Sequence, residues 1–212
     1  MKIKWLGHST FKIKSETTLV IDPHNPEAGG RLPEDLTAET VLVTHKHMDH
    51  SFTQAVGGNP RIFSQVGEFE SKEYKIKGIS SYHDNTGGTQ RGNNIIYTIK
   101  TEGLTICHMG DLGHLLTAVQ IEEIGKVDIL MVPVGGYYTI DSSEATQVVK
   151  QLNPGIVMPM HYKSIESDIV YNITGVQPFC DSLGWDVLDG LNELYISPAT
   201  IPSLEHKVIL FK

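Results

Sequence analysis

Cysteine is nearly absent from this chain: Cys107 and Cys180 are the only two in 212 residues. Two are too few for a disulfide framework, and neither sits in the histidine-rich motif described below, so the cytoplasm, a reducing compartment, is the expected setting. Also missing is any apolar run long enough for a signal peptide or a membrane span, and no membrane association is expected. Basic residues are in the minority, 17 Lys and Arg against 25 Asp and Glu, for a net charge of −8. Nucleic-acid binding draws most of its affinity from clustered Lys and Arg, so no nucleic-acid partner is expected. A ribonuclease would need a clamping domain or a basic exosite, and neither is visible. The glycines form neither G-x-x-x-x-G-K-[ST] nor a strand-linked G-x-G-x-x-G, which removes two common nucleotide-cradling loops. Repeats, low-complexity tracts and Pro/Ser-rich linkers are lacking as well.

What is present is the composition of a folded protein, 40% hydrophobic and 20% charged, long enough to bury a sizeable core as one domain over residues 1–212. Alternation from Lys2 to Lys14, broken at Gly7-His8-Ser9, predicts two strands joined by a turn, with Thr18 to Ile21 as the next strand. Runs rich in β-branched residues predict strands at Val41 to Val43, Ile76 to Ser80, Ile95 to Ile99, Leu104 to Cys107, Ile129 to Val134 and Ile156 to Met160. Helical spacing covers Leu116 to Ile124. Ser142 or Ser143 offers an N-cap to a second helix that closes before Asn153-Pro154, and Ile173 to Leu183 is a third. Strands fill the first half and strand–helix alternation the second, which predicts an α+β layered sandwich with helices outside two packed sheets.

The chemistry concentrates where the apolar run Val41-Leu42-Val43 passes directly into Thr44-His45-Lys46-His47-Met48-Asp49-His50. Composition alone would produce His-X-His-X-Asp-His about once in a thousand such chains. Neutral imidazoles and a carboxylate are good donors for a divalent metal, and donors on a tight loop after a rigid strand lose little entropy on binding. One tetrahedral ion could not use all four and still keep a water position open. His45 and His47 can instead turn toward one metal while Asp49 and His50 turn toward another, which favours a catalytic pair over a structural site. Other apolar runs also end in candidate donors: Asp22, His83, Asp111 and His161. If those strands lie in neighbouring sheets and run the same way, their ends form one rim.

Thr44 to His50, Gly110-Asp111 and Pro159-Met160-His161, with Asp22 after Leu19-Val20-Ile21, resemble successive motifs of the metallo-β-lactamase superfamily. The opening Gly7-His8-Ser9-Thr10 and Met158 to Tyr162 are most similar to its small metal-dependent hydrolases related to ascorbate-6-phosphate lactonase. The resemblance spans roughly residues 1 to 165. It implies a four-layer αββα sandwich with two divalent metal ions, zinc first and Mn or Fe as alternatives. It further implies that His45, His47 and His83 bind one metal, that Asp49, His50 and His161 bind the other, and that Asp111 bridges them. Asp84 and His108 compete with His83 for its place. Asp22 is expected to stand behind the ligands and orient them through hydrogen bonds.

Two dications would bring a bridging water's pKa from about 15.7 to near 7, so that hydroxide attacks while Asp49 orients it and passes a proton to the leaving group. The expected substrate is a small, anionic ester, lactone or phosphoester. Arg91, in the glycine-rich stretch after His83, and Lys163, two residues after His161, are candidates for an anionic group, with solvated side chains as the plain alternative. His8 offers a substrate contact or proton carrier, or an ordinary turn residue, and is not counted as a ligand; His114 can face the site or cap a helix. Two other classes share the donor set: an iron-dependent redox enzyme, whose diiron relatives carry Glu where this chain has His47, and a non-catalytic metal-binding module. Elemental analysis after reconstitution with zinc or manganese is expected to give two metals per chain, and one or none removes the dinuclear expectation.

Overall fold

A computed structural model of the chain describes residues 1–163 and 172–212. The first half holds β1 (Lys2–Trp5), β2 (Phe11–Lys14), β3 (Thr18–Ile21), α1 (Pro26–Gly29), β4 (Thr40–Leu42), β5 (Arg61–Phe63), β6 (Gly67–Ser71), β7 (Tyr74–Tyr82) and β8 (Asn93–Thr101). The second holds β9 (Leu104–His108), α2 (Ala118–Ile124), β10 (Ile129–Pro133), α3 (Ser142–Leu152), β11 (Ile156–Met160), α4 (Gln177–Leu183), β12 (Asp186–Leu191), β13 (Leu194–Tyr195), α5 (Ile201–Leu204) and β14 (Lys207–Phe211). They form two mixed sheets, of order β13-β1-β2-β3-β4-β5 and β12-β14-β11-β10-β9-β8-β7-β6.

The period of two in a strand decides what each face buries. Leu19, Ile21 and Leu42 share a core with Ile76, Ile79, Ile96 and Ile99 of the other sheet. Their neighbours Val20, Val41 and Val43 point the other way, onto Leu36, Ala38 and Val56. Burial on both faces is why β3 and β4 read as unbroken apolar runs. On the far side, Ala145, Val148 and Val149 of α3 join the main core, with α3 against β10 and α4, and α2 against β7. The two packed sheets with their helices form the α+β sandwich that the sequence predicts. Among the described residues no helix is long and apolar enough to cross a membrane.

The helix starts differ from the prediction: α2 begins at Ala118 rather than Leu116, behind the Thr117 cap. Asp141, not Ser142 or Ser143, caps α3: its Oδ1 accepts from the amides of Ser143 and Glu144 at 2.9 Å, and Glu144 Oε2 accepts from the Asp141 amide at 3.0 Å. This carboxylate box satisfies three free amides, which a serine hydroxyl does less well at the charged end of a helix. The third helix begins at Gln177 rather than Ile173, because Thr174 is tied into a neighbouring loop: its N–H donates to Gly135 O and its carbonyl accepts from Lys163 N. Pro178 in the first turn suits the later start. Strands β5, β6 and β12 to β14 were not expected; β12 is largely exposed at a sheet edge and carries no buried-face alternation.

Strand direction gathers the candidate donors. β3 and β4 pair parallel, as do β9, β10 and β11, and β7 reaches β9 through two antiparallel steps, so β7 and β9 run the same way. Asp22, His45, His83, Asp111 and His161 each follow the C-terminal end of such a strand. The loops after β7 and β9 touch at Gly113, whose N–H donates to Tyr82 O at 3.0 Å. A β-carbon there would run into the backbone of His83 and Asp84. Gly113→Ala is expected to cost about 1–3 kcal/mol by overpacking, seen as a lower urea midpoint at unchanged slope. Metal affinity should fall with it, since the displaced backbone carries His83.

Candidate metal centre

The turn after β3 places Asp22 beneath the histidine loop with no exposed surface and a left-handed backbone, φ 46°. Its Oδ1 accepts from Thr44 N at 2.8 Å, and its Oδ2 accepts from Thr44 Oγ1 at 2.7 Å and from His50 Nδ1 at 2.8 Å. Because the Thr44 hydroxyl proton goes to Asp22, its oxygen accepts from His45 Nδ1, 3.0 Å away. One carboxylate therefore fixes two imidazoles with their Nε2 atoms turned outward, which is how a carboxylate behind a histidine prepares it for a metal.

Those nitrogens converge on Asp111. Its Oδ2 lies 3.0 Å from His83 Nε2, 3.2 Å from His161 Nε2 and 3.9 Å from His45 Nε2, and its Oδ1 lies 3.2 Å from His50 Nε2. Three sets of donor atoms each lie within 4.8 Å of one another: His45, His47 and His83; His45, His50 and Asp111; and His8, Asp49, His50 and His161. Among the described residues His45 Nε2, His50 Nε2 and Asp111 Oδ1 are buried without a hydrogen-bond partner. His50 Nε2 and Asp111 Oδ1 are near enough to bond but misaligned for it. Buried lone pairs turned toward a common space, rather than toward each other, are what a divalent cation satisfies. The residues present fit a bound divalent metal.

The competing positions are accounted for. His83 joins His45 and His47, with ring centroids 4.9 and 5.2 Å away. Asp84 turns aside, its carboxylate accepting from Thr86 N and Oγ1, Gly88 N, Gln90 N and Arg91 N at 2.8 to 2.9 Å. Burial opposes its ionisation, but these donors, led by the Arg91 amide, hold it below the usual carboxylate range. His108 is structural: its Nε2 donates to Ser9 O and its Nδ1 accepts from Gly110 N. His114 accepts from Tyr82 N and donates to Leu115 O. His24 meets Thr10 Oγ1, and His206 packs on Trp185.

A cavity of about 370 Å³ opens at the donors, lined by His8, His47, Asp49, His83, Asp111 and His161 together with Gln90, Arg91 and Tyr138. The Arg91 guanidinium carbon lies 5.7 Å from the Tyr138 ring centre. Lys163 is exposed and is not among the lining residues. Sequence reasoning missed Tyr138, Thr44 and Asn94. Asn94 donates to Ser81 Oγ and Met109 O and accepts from Asp111 N, so it hangs the Asp111 turn on β8. That turn passes through Gly110 at φ 57°, where a β-carbon would strike Asn94 and Thr44. Nothing near Asn94 in sequence marks it; Thr44 was marked only by preceding His45.

A rim of imidazoles and carboxylates on two packed sheets defines a metal-centre protein of the sandwich class, and comparison with known proteins agrees. Residues 2–161 match a Beta-lactamase superfamily domain. A UPF0173 metal-dependent hydrolase of Thermoplasma volcanium is 33% identical over 193 residues, covering 78% of this chain and 85% of its own. Another, of Thermococcus onnurineus, is 30% identical over 192 residues, with 77% and 85% covered. A solved structure from Thermotoga maritima, a proposed Zn-dependent hydrolase of the metallo-beta-lactamase superfamily, is 36% identical, covers 99% of this chain and 97% of its own, and superposes with a TM-score of 0.80. The chain belongs to the metallo-beta-lactamase superfamily and, within it, to the UPF0173 metal-dependent hydrolase family.

Protonation at the centre follows from its charges. Burial disfavours a charged His50, but Asp111 and Asp22 outweigh it and hold the ring well above the usual imidazole value. Burial, with His50 beside it, pushes His45 down to about 3. At pH 7 the metal-free centre thus keeps a proton on His50, and a bound cation must displace it. Loading at pH 7 is expected to release protons, and affinity to fall as pH is lowered. Calorimetry in buffers of different ionisation enthalpy measures this; the same heat in every buffer contradicts it.

Proposed function

We propose that this protein is a hydrolase that works with two divalent cations, zinc being the simplest choice, on a small anionic ester, lactone or phosphoester. The observation that carries the reading is the meeting of the three donor sets around Asp111 at the floor of a cavity whose wall holds an arginine. His45, His47 and His83 would hold one ion, Asp49, His50 and His161 the other, and Asp111 would be shared. Bound there, the ions would supply Lewis acidity and a water ionised near pH 7. The names of the UPF0173 relatives, and the zinc proposed for the Thermotoga maritima protein, support the metal-dependent part. The same donors accept Mn or Fe.

The remaining work falls to this chain's own residues. Burial opposes ionisation of Asp49, but the His8 imidazole beside it and the His50 charge hold its carboxyl below the usual range. It is therefore an acceptor at neutral pH, able to orient an attacking water and carry its proton to the leaving group. Arg91, backed by Tyr138, is the cation of the cavity wall and would hold the anionic group; the Asp84 bonds fix the loop that presents it. A volume of about 370 Å³ suits a small molecule. The resemblance of the Gly7-His8-Ser9-Thr10 and Met158 to Tyr162 segments to ascorbate-6-phosphate lactonase makes phosphorylated lactones the first substrates to try. The reading takes residues 1–212 as one domain, and the two free, buried cysteines accord with a cytoplasmic setting.

The test is a panel of phosphodiesters, phosphorylated lactones, acyl lactones, thioesters and short RNA, run with the zinc, manganese and iron forms. Metal-dependent turnover of a small anionic member is expected. Arg91→Ala should raise KM at least about tenfold with little change in kcat. Asp111→Asn should lose metal and most activity while its circular dichroism stays that of the parent chain. Preference for RNA, or an Arg91→Ala enzyme with unchanged KM, rejects the substrate class.

A further inference from the structure

The Gly7-His8-Ser9 turn between β1 and β2 holds one ring in a fixed place. His8 has a left-handed backbone, φ 50°, which a residue with a β-carbon adopts only where its surroundings impose it. They do so through its carbonyl, which accepts from Trp5 Nε1 at 3.0 Å and from the His161 amide at 3.1 Å. Trp5 in turn stacks on Tyr162, centroids 5.4 Å apart. The turn is thereby bound to His161 and its neighbour, and the His8 ring, 6% exposed, is carried to the centre.

There His8 Nε2 lies 3.3 Å from Asp49 Oδ2, and the ring centroid lies 4.3 Å from that of His161 and 5.1 Å from that of His50. The donor atoms of His8, Asp49, His50 and His161 all lie within 4.8 Å of one another. Opposite donors placed 2.1 Å from a common ion are about 4.2 Å apart, so this is close to the spread of one coordination sphere.

We propose that His8 is a fourth protein donor to the ion held by Asp49, His50 and His161. The inference rests on the two-metal reading above. With Asp111 shared, the two halves of the centre are unequal: His8 gives the second ion five protein donors, while His45, His47, His83 and Asp111 give the first four. A six-coordinate second ion would then have one position left for water or substrate.

Cobalt titration of the metal-free full chain, followed by visible absorption, tests this. The parent chain is expected to bind two equivalents. His8→Gly takes φ 50° without strain and so preserves the turn. It should bind the first equivalent unchanged and the second at least about tenfold more weakly. The second equivalent's absorption should intensify as its coordination falls from six to five, and added imidazole should restore both properties. His8→Asn, which also tolerates a left-handed backbone, should behave likewise without imidazole rescue, and circular dichroism checks the fold of both. Parent-like affinity for the second equivalent overturns the proposal. So does a weaker second equivalent with the parent spectrum and no rescue, which would make His8 a positioning residue for Asp49. A parent chain that takes one equivalent or none overturns the two-metal reading itself, a failure seen without any variant.

Discussion

A carboxylate sealed from water has to be neutralised by its neighbours, and at Asp111 everything else in the centre answers that demand. The residue is 1% exposed, with four imidazole nitrogens from three other loops within 4 Å of its oxygens. Burial opposes its charge, yet His161 and His50 hold it well below the usual carboxylate range. An unpaired buried charge would cost several kcal/mol. The four loops are therefore bound energetically to one another through this group, and the positive charge that Asp111 calls for is what a metal ion can supply in place of a proton.

The scaffold under those loops is correspondingly stiff. Asp22 binds the start of the histidine loop to the end of β3, Asn94 binds the Asp111 turn to β8, and His108 binds the same turn to Ser9. His8, Asp22 and His161 all hold left-handed backbones, strain that persists only because the surrounding hydrogen bonds over-determine it. The gain is orientation: the His45 and His50 imidazoles are aimed before any ligand arrives, so less entropy remains to be lost on binding.

The cavity wall is made differently. Its cation comes from the loop after His83, which holds its shape by converging backbone amides on Asp84, and its aromatic surface comes from Tyr138 in the loop after β10. Imidazoles and carboxylates set at strand ends, with the arginine and tyrosine carried on loops, allow the loops to change without moving the cluster.

What the sequence determined by itself was local. Apolar period and length gave the central strands, because a strand buried on both faces must be apolar throughout. The contiguous spacing of His45, His47, Asp49 and His50 carried its own chemistry, since four donors on one tight loop have few other uses. Asp22, Asp111 and His161 were legible as polar residues closing apolar runs. Position in the chain carried no such signal for Asn94, Thr44 or Tyr138, nor for the exposed edge strand β12. Lys163 looked equivalent to Arg91 in sequence, yet only Arg91 lines the cavity. The place of His8 among the donors was decided by Trp5 and by the amide of His161, which is 153 residues further along the chain. Such facts belong to tertiary structure because a hydrogen bond across a sheet depends on where two distant backbones meet, and the pattern of neither segment alone encodes that meeting.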